Sequence, residues 1–65
     1  LKVEGFNPMQ NYELRIMNDE GKVVATAKTN DDVYYWNISS LQSGVYYLVA
    51  TNESGEKQTV KFIKQ

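Results

Sequence analysis

The side chains that most often act as acids, bases or nucleophiles are represented here by carboxylates and serines, because this 65-residue chain has no histidine and no cysteine. Six of the eight carboxylates fall in pairs within turn-forming stretches, namely Asp19 and Glu20, Asp31 and Asp32, and Glu53 and Glu56. The serines that lie in predicted loops are Ser39, Ser40, Ser43 and Ser54. Short polar residues in turns usually hydrogen-bond to the nearby backbone. We therefore predict that the protein is not an enzyme.

Metal and cofactor sites have little support in the sequence. Asp31 and Asp32 are oxygen ligands of the kind that Ca²⁺ prefers. They do not, however, belong to the D-x-[DN]-x-[DN]-G loop that would make a calcium site. The four glycines are too far apart to form a phosphate-binding loop. We expect no metal and no cofactor.

Aromatic residues cluster in two predicted strands, DVYYWNI and VYYLVAT. Adjacent strand residues point to opposite faces, so Trp36 and Tyr46 can fill a core while Tyr35 and Tyr47 face outward. Exposed aromatic rings can stack on sugars, and Tyr35 and Tyr47 on one outer face would form such a platform. A carbohydrate-binding module is therefore an alternative function, and a spacer module of a surface protein is another.

Charge is nearly balanced overall but unevenly distributed. The net charge is −1, which argues against nucleic acid or an anionic membrane as the main partner. The last nine residues contain Lys57, Lys61 and Lys64 and no acid. Lysine on an edge strand discourages pairing between sheets, so this basic ending is either a protected edge or a recognition element. The sequence contains no run of 18 apolar residues, so it predicts no membrane-spanning helix.

Turn signals recur at short intervals, at GFNPMQN (5–11), NDEG (18–21), TNDD (29–32), SSLQSG (39–44) and NESGE (52–56). The runs between them alternate apolar and polar residues, as strands with one buried face do. The faces predicted to be buried include Tyr12, Leu14 and Ile16 on one strand and Tyr46, Leu48 and Ala50 on another. We predict a single all-β domain over 1–65, a small immunoglobulin-like antiparallel β-sandwich of six to seven short strands in meander-like succession.

The stretch WNISSLQSGVYYLVATNESGEKQTVKFIKQ resembles the type A C-terminal sorting domain of type IX secretion cargo from Bacteroidetes-type bacteria. The matching elements, in order, are NDEGKVV (18–24), ISSLQSGVYYLVA (38–50), NESGEK (52–57) and TVKFIKQ (59–65). Family members usually begin with a Tyr-Pro-Asn-Pro-like stretch, and Asn7-Pro8 comes too late to replace it. We therefore expect an N-terminally truncated piece of a longer protein.

The resemblance implies a secretion signal at the end of a larger cargo protein. The cargo would be exported to the periplasm and pass through the type IX outer-membrane translocon. A sortase-like cell-surface peptidase would then usually remove the domain and attach the cargo to the outer-membrane surface. The residues that match the family's motifs are Gly44 and Tyr46 of its Gly-x-Tyr element, the turn glycines Gly21 and Gly55, and Lys61 and Lys64 of its terminal basic strand. We predict that Gly44, Tyr46, Lys57, Lys61 and Lys64 are the recognition residues.

An exposed last strand could present its backbone to a receptor by β-addition, with the lysines fixing its orientation. The same exposed edge could pair two copies of the chain as a dimer.

Overall fold

A computed structural model describes residues 1–6 and 9–65 and contains six strands in that part of the chain. Their bounds are β1 Lys2–Glu4, β2 Tyr12–Asn18, β3 Val23–Thr29, β4 Val33–Tyr35, β5 Gly44–Asn52 and β6 Lys57–Lys64. They form a two-stranded sheet, β1–β4, and a four-stranded sheet in the order β3–β2–β5–β6, both antiparallel. This confirms the prediction of a small all-β sandwich. Asn7 and Pro8, and with them part of the turn predicted over 5–11, lie outside the described residues.

The prediction of a meander-like succession is wrong. Only β2–β3 and β5–β6 are hairpins of consecutive strands, whereas β1 pairs with β4 and β2 pairs with β5. The chain changes sheet between β3 and β4, where the Thr29 hydroxyl accepts a hydrogen bond of 3.1 Å from the backbone of Asp31. The change of sheet brings Tyr34 against the core formed by β2 and β5. A meander in one sheet would leave the apolar faces of these strands in water.

The core lies between the two sheets. Its buried apolar side chains are Val3, Phe6, Leu14, Ile16, Tyr46, Leu48 and Ala50. Leu14 and Ile16 are fully buried, as expected for the central strand β2. The predicted inward faces of β2 and β5 are therefore confirmed. Trp36 lies beyond the end of β4, which is shorter than predicted, but it still packs against the core and against Tyr34, with ring centroids 5.5 Å apart.

The β2–β3 and β5–β6 hairpins turn in the same way. In the first, Asn18 donates its backbone N–H to Lys22 (2.9 Å), and the carbonyl of Asn18 accepts from Gly21 (3.0 Å). In the second hairpin, Asn52 donates its backbone N–H to the carbonyl of Glu56 (3.0 Å), and the carbonyl of Asn52 accepts from Gly55 (3.1 Å). Gly21 and Gly55 have φ values of 82° and 84°, a left-handed conformation that costs residues with a Cβ about 1–2 kcal/mol.

These two hairpins are related by an approximate two-fold axis through the centre of the β2–β5 pair. In that pair Tyr12 lies opposite Asn52, and Asn18 lies opposite Tyr46. The pattern Tyr-x-Leu-x-x-x-Asn-x-x-Gly occurs at 12–21 and again at 46–55. The four-stranded sheet is thus built from one hairpin pattern used twice, so the two turns lie at opposite ends of the sheet and β3 and β6 form its two edges.

Candidate functional site

The lysine-bearing strand β6 is an edge strand in the described part of the chain. All eight of its residues pair with β5 in one continuous register, from Lys57 opposite Thr51 to Lys64 opposite Gly44. In an antiparallel pair, the backbone groups of alternate residues point toward the partner strand. At the turn, the carbonyl of Glu56 accepts a hydrogen bond from Asn52, so Glu56 and every second residue after it face β5. The backbone N–H and C=O groups of Lys57, Thr59, Lys61 and Ile63 therefore point away from β5.

The three lysines of β6 carry charges that other side chains do not neutralise. Lys57 and Lys61 are exposed on the outer face of the four-stranded sheet, and Lys64 is half-buried on the inner face. Residues 1–6 and 9–65 contain two ion pairs, Lys2 with Glu4 and Arg15 with Glu13, and neither involves β6. A cationic edge of this kind is suited to an acidic partner.

The predicted Gly-x-Tyr element has a structural role in the fold. Tyr46 is 7% exposed, and its hydroxyl donates a hydrogen bond of 2.6 Å to the carbonyl of Gln42. A tyrosine that bonds back to the chain a few residues upstream in this way fixes the corner at which a strand begins. Tyr46 also stacks on Phe62 of β6, with ring centroids 5.6 Å apart. Tyr46 therefore positions both the loop before β5 and the edge strand, and Gly44 starts β5 opposite Lys64.

Tyr35 and Tyr47 do not form a joint aromatic platform. Tyr35 is 73% exposed on the outside of the two-stranded sheet, while its neighbour Tyr34 packs on the core. Tyr47 points away from the core side of the four-stranded sheet, because Tyr46 and Leu48 point inward. The two tyrosines thus lie on opposite outer faces of the sandwich. The carbohydrate-binding alternative loses the feature on which it depended.

The paired carboxylates lie in loops, and several of the surrounding contacts support a structural role. The Glu53 Oε1 atom accepts hydrogen bonds from the backbone (3.0 Å) and side chain (2.7 Å) of Asn11, which tie the second hairpin to the chain before β2. Asp31 and Asp32 are exposed. No cluster of three or more acidic groups that could hold a metal ion occurs within the described ranges.

A cleft of about 520 Å³ opens beside this contact, at the end of the sheet where the second hairpin turns. Its lining residues are Asn11, Tyr12, Glu13, Lys28, Thr29, Asn30, Thr51, Asn52 and Glu53. The carboxylate of Glu53 and the side-chain amides of Asn11 and Asn52 already make hydrogen bonds within the protein. None of the four serines lines the cleft.

The fold is a small all-β sandwich whose larger sheet has a basic strand at one edge. The chain belongs to the family of secretion system C-terminal sorting domains, whose family model matches residues 1–65. These are the sorting domains of type IX secretion. No curated protein and no solved structure matches the chain.

Family membership establishes the general role of the domain. It is a sorting signal of type IX secretion, it interacts with that secretion system, and it belongs to a protein exported across the outer membrane. The family is not an enzyme family. In residues 1–6 and 9–65 there is no helix long and apolar enough to span a membrane.

Proposed function

We propose that this domain directs a larger cargo protein through the type IX outer-membrane translocon, for attachment to the cell surface or for release, and that the translocon reads its last strand. The observation that carries this proposal is the uncompensated positive charge of β6 in a domain of a sorting family. In this view the domain is present as a single folded unit over 1–65 at the end of the cargo. It acts through its surface, with no metal or cofactor.

The site residues divide into two groups in this proposal. Lys57, Lys61 and Lys64 provide the charge that the translocon recognises. Gly44, Tyr46 and Gly55 hold the strand and the turn before it in place, and Gly21 forms the equivalent turn between β2 and β3. Tyr46 belongs to the second group because its ring is buried and its hydroxyl is bonded to Gln42.

The order of events follows the role of the family. The cargo reaches the periplasm, the translocon binds the folded sandwich, and a sortase-like peptidase at the cell surface removes it. Pairing of two copies along β6 would place basic strands side by side, and like charges in neighbouring strands are destabilising. We therefore propose that the translocon, rather than a second copy, occupies this edge during export.

A reporter protein carrying this domain at its C-terminus, in a host with the pathway, tests the proposal. Deletion of residues 57–65 should abolish export. Replacement of Lys57, Lys61 and Lys64 together by glutamine should reduce export strongly while the domain remains folded.

The matched control replaces Lys2, Lys22 and Lys28 by glutamine, which removes the same total charge from other strands and turns. This control should be exported like the parent. Undiminished export of the deletion variant would overturn the proposed function.

A further inference from the structure

The open side of β6 carries a full set of free backbone groups. Residues Lys57, Thr59, Lys61 and Ile63 direct their N–H and C=O groups away from β5, and no other strand of the described chain pairs there. The register with β5 runs over eight residues without a bulge. A regular unpaired edge of this length is a template for an additional strand.

The opposite edge of the same sheet is less suitable. In β3, Val23 pairs with Met17 and Ala25 pairs with Ile16, so that Val24 is an extra residue without a partner. A bulge of this kind twists an edge and interrupts the spacing of its hydrogen-bonding groups. The edges of the other sheet are short, since β1 and β4 have three residues each. β6 is therefore the favoured place for strand addition in the described chain.

The inner side of β6 has apolar surface that the sandwich leaves uncovered. Val60 lies opposite the buried Leu48, on the core side of the sheet, yet it is 58% exposed. Phe62 on the same side is half-buried against Tyr46. The core cluster joins side chains of β1, β2 and β5 and does not include Val60. A strand added beside β6 would bring its own inward side chains over Val60 and Phe62 and remove this surface from water.

The outer side of β6 specifies the charge of the added strand. Lys57 and Lys61 point to this outer side and are four residues apart, with Thr59 between them. Ile63 follows on the same side and is 66% exposed. Side chains directly opposite one another in an antiparallel pair interact most strongly, and opposite charges are favourable. Acidic residues four positions apart on the incoming strand would face the two lysines. A second copy of β6 would place lysines there instead.

We infer that β6 binds an extended segment of the secretion machinery as an antiparallel fifth strand, with acids at positions i and i+4 and apolar residues at i−2, i−1 and i+1. The acids lie opposite Lys61 and Lys57, and the apolar residues lie opposite Ile63, Phe62 and Val60. This inference rests on the proposed sorting function and specifies the chemistry of its partner. Backbone pairing provides affinity, while the acid spacing sets the register.

A peptide of the sequence Val-Val-Glu-Val-Thr-Ser-Glu, blocked at both ends, is a direct probe. With the peptide at ten times its Kd, exchange of the amide hydrogens of Thr59, Lys61 and Ile63 should slow about tenfold. The amides of β3 should not change. A peptide with lysine in place of both glutamates should not protect the parent domain, but it should protect a Lys57→Glu, Lys61→Glu variant. Equal protection by both peptides, or protection along β3, would overturn the inference.

Proline provides a test in the exporting host. Thr59→Pro removes an N–H that points away from β5, so the β5–β6 ladder is retained. Thr26→Pro is the matched control, because Thr26 lies on the β3 edge opposite Arg15 and its N–H also points outward. Both variants should show the same urea midpoint, followed by Trp36 fluorescence. We expect loss of export for Thr59→Pro alone.

The outcomes of this test separate the inference from the proposed function. Normal export of Thr59→Pro, together with loss of export on deletion of 57–65, overturns strand addition and leaves the sorting function in place. Normal export of the deletion variant overturns the sorting function itself. If Thr59→Pro shifts the urea midpoint, the Lys57→Glu, Lys61→Glu variant and the lysine-containing peptide provide the test instead, because they leave the backbone unchanged. Absence of protection of that variant by the lysine peptide would then overturn the inference.

Discussion

Asn18 and Asn52 occupy equivalent positions at opposite ends of the four-stranded sheet, and each closes its hairpin with its own side chain. The Asn18 Oδ1 atom accepts hydrogen bonds from the backbone of Glu20 (3.0 Å) and Lys22 (2.9 Å). The Asn52 Oδ1 atom accepts from Ser54 and Glu56 at the same distances. Both turns are therefore held by the same arrangement of one side-chain oxygen and two amides, although the residues between Asn and Gly differ.

Asn18→Ala and Asn52→Ala should destabilise the domain by similar amounts. Each change removes the two hydrogen bonds to the Oδ1 atom, which corresponds to about 1–2 kcal/mol of unfolding free energy. Asn52→Ala also removes a longer bond, 3.4 Å, from Asn52 Nδ2 to Glu56 Oε1 in an exposed turn. Asn37→Ala is the control, since Asn37 Oδ1 accepts a single bond, from Ser39, and its effect should be about half as large. Urea denaturation of the three variants measures the differences. A large effect at one hairpin and none at the other would contradict the equivalence of the two turns.

Tyr46→Phe should cost about 1 kcal/mol, because it leaves the ring in the core but removes the bond to Gln42. The neighbouring change Tyr47→Phe should have almost no effect, since Tyr47 faces outward and its hydroxyl has no partner among the described residues. Comparison of the two urea midpoints tests the assignment of Tyr46 as a corner residue. Equal midpoints for the two variants would show that the hydroxyl of Tyr46 does not stabilise the corner.

Leu48 and Val60 are cross-strand partners on the same side of the sheet but differ in burial. Leu48→Ala should cost about 2–5 kcal/mol, a large part of the stability of a domain this small. Val60→Ala should cost about 0.5 kcal/mol or less. Thermal unfolding followed by circular dichroism measures both. A similar loss at the two positions would mean that the inner side of β6 is covered in solution.

Hydrogen exchange of the free domain should alternate along β6. The amides of Val60 and Phe62 point toward β5 and should exchange on the order of a hundredfold more slowly than those of Thr59 and Lys61. Two-dimensional NMR spectra recorded after transfer to deuterium oxide measure this pattern directly. Uniform protection of all four amides would show that the edge is already paired.

Much of the sandwich could be predicted from the sequence, because strands with one buried face alternate strictly. Leu14 and Ile16 on β2, and Leu48 and Ala50 on β5, show this pattern. Both hairpins were also predictable, since Asn and Gly recur at the same spacing in each turn. Strand pairing could not be predicted in the same way: alternation shows which side of a strand is buried but does not identify its neighbour. The pairing of β1 with β4 depends on contacts between residues about 30 positions apart in the chain.

The candidate site was predictable in part. The lysines of β6 are visible as a basic run, but the division of roles between them and Tyr46 depends on burial. The uncovered apolar surface at Val60 could not be recognised, because Val60 follows the same alternation as any inward residue. Its exposure shows that the two-stranded sheet leaves it uncovered. The internal symmetry had a sequence signal, the repeated Tyr-x-Leu-x-x-x-Asn-x-x-Gly pattern, which appears only when 12–21 and 46–55 are aligned.

The unpaired Val24 in β3 has a consequence for how these domains behave when they are crowded. A sheet with two regular free margins can grow from both sides, and many molecules can then join into a fibre. Here the β3 edge is irregular and the β6 edge is regular. We therefore expect strand addition at β6 only, so that growth stops after a single addition. Concentrated domains should therefore not polymerise and should keep the β6 edge open for the proposed partner.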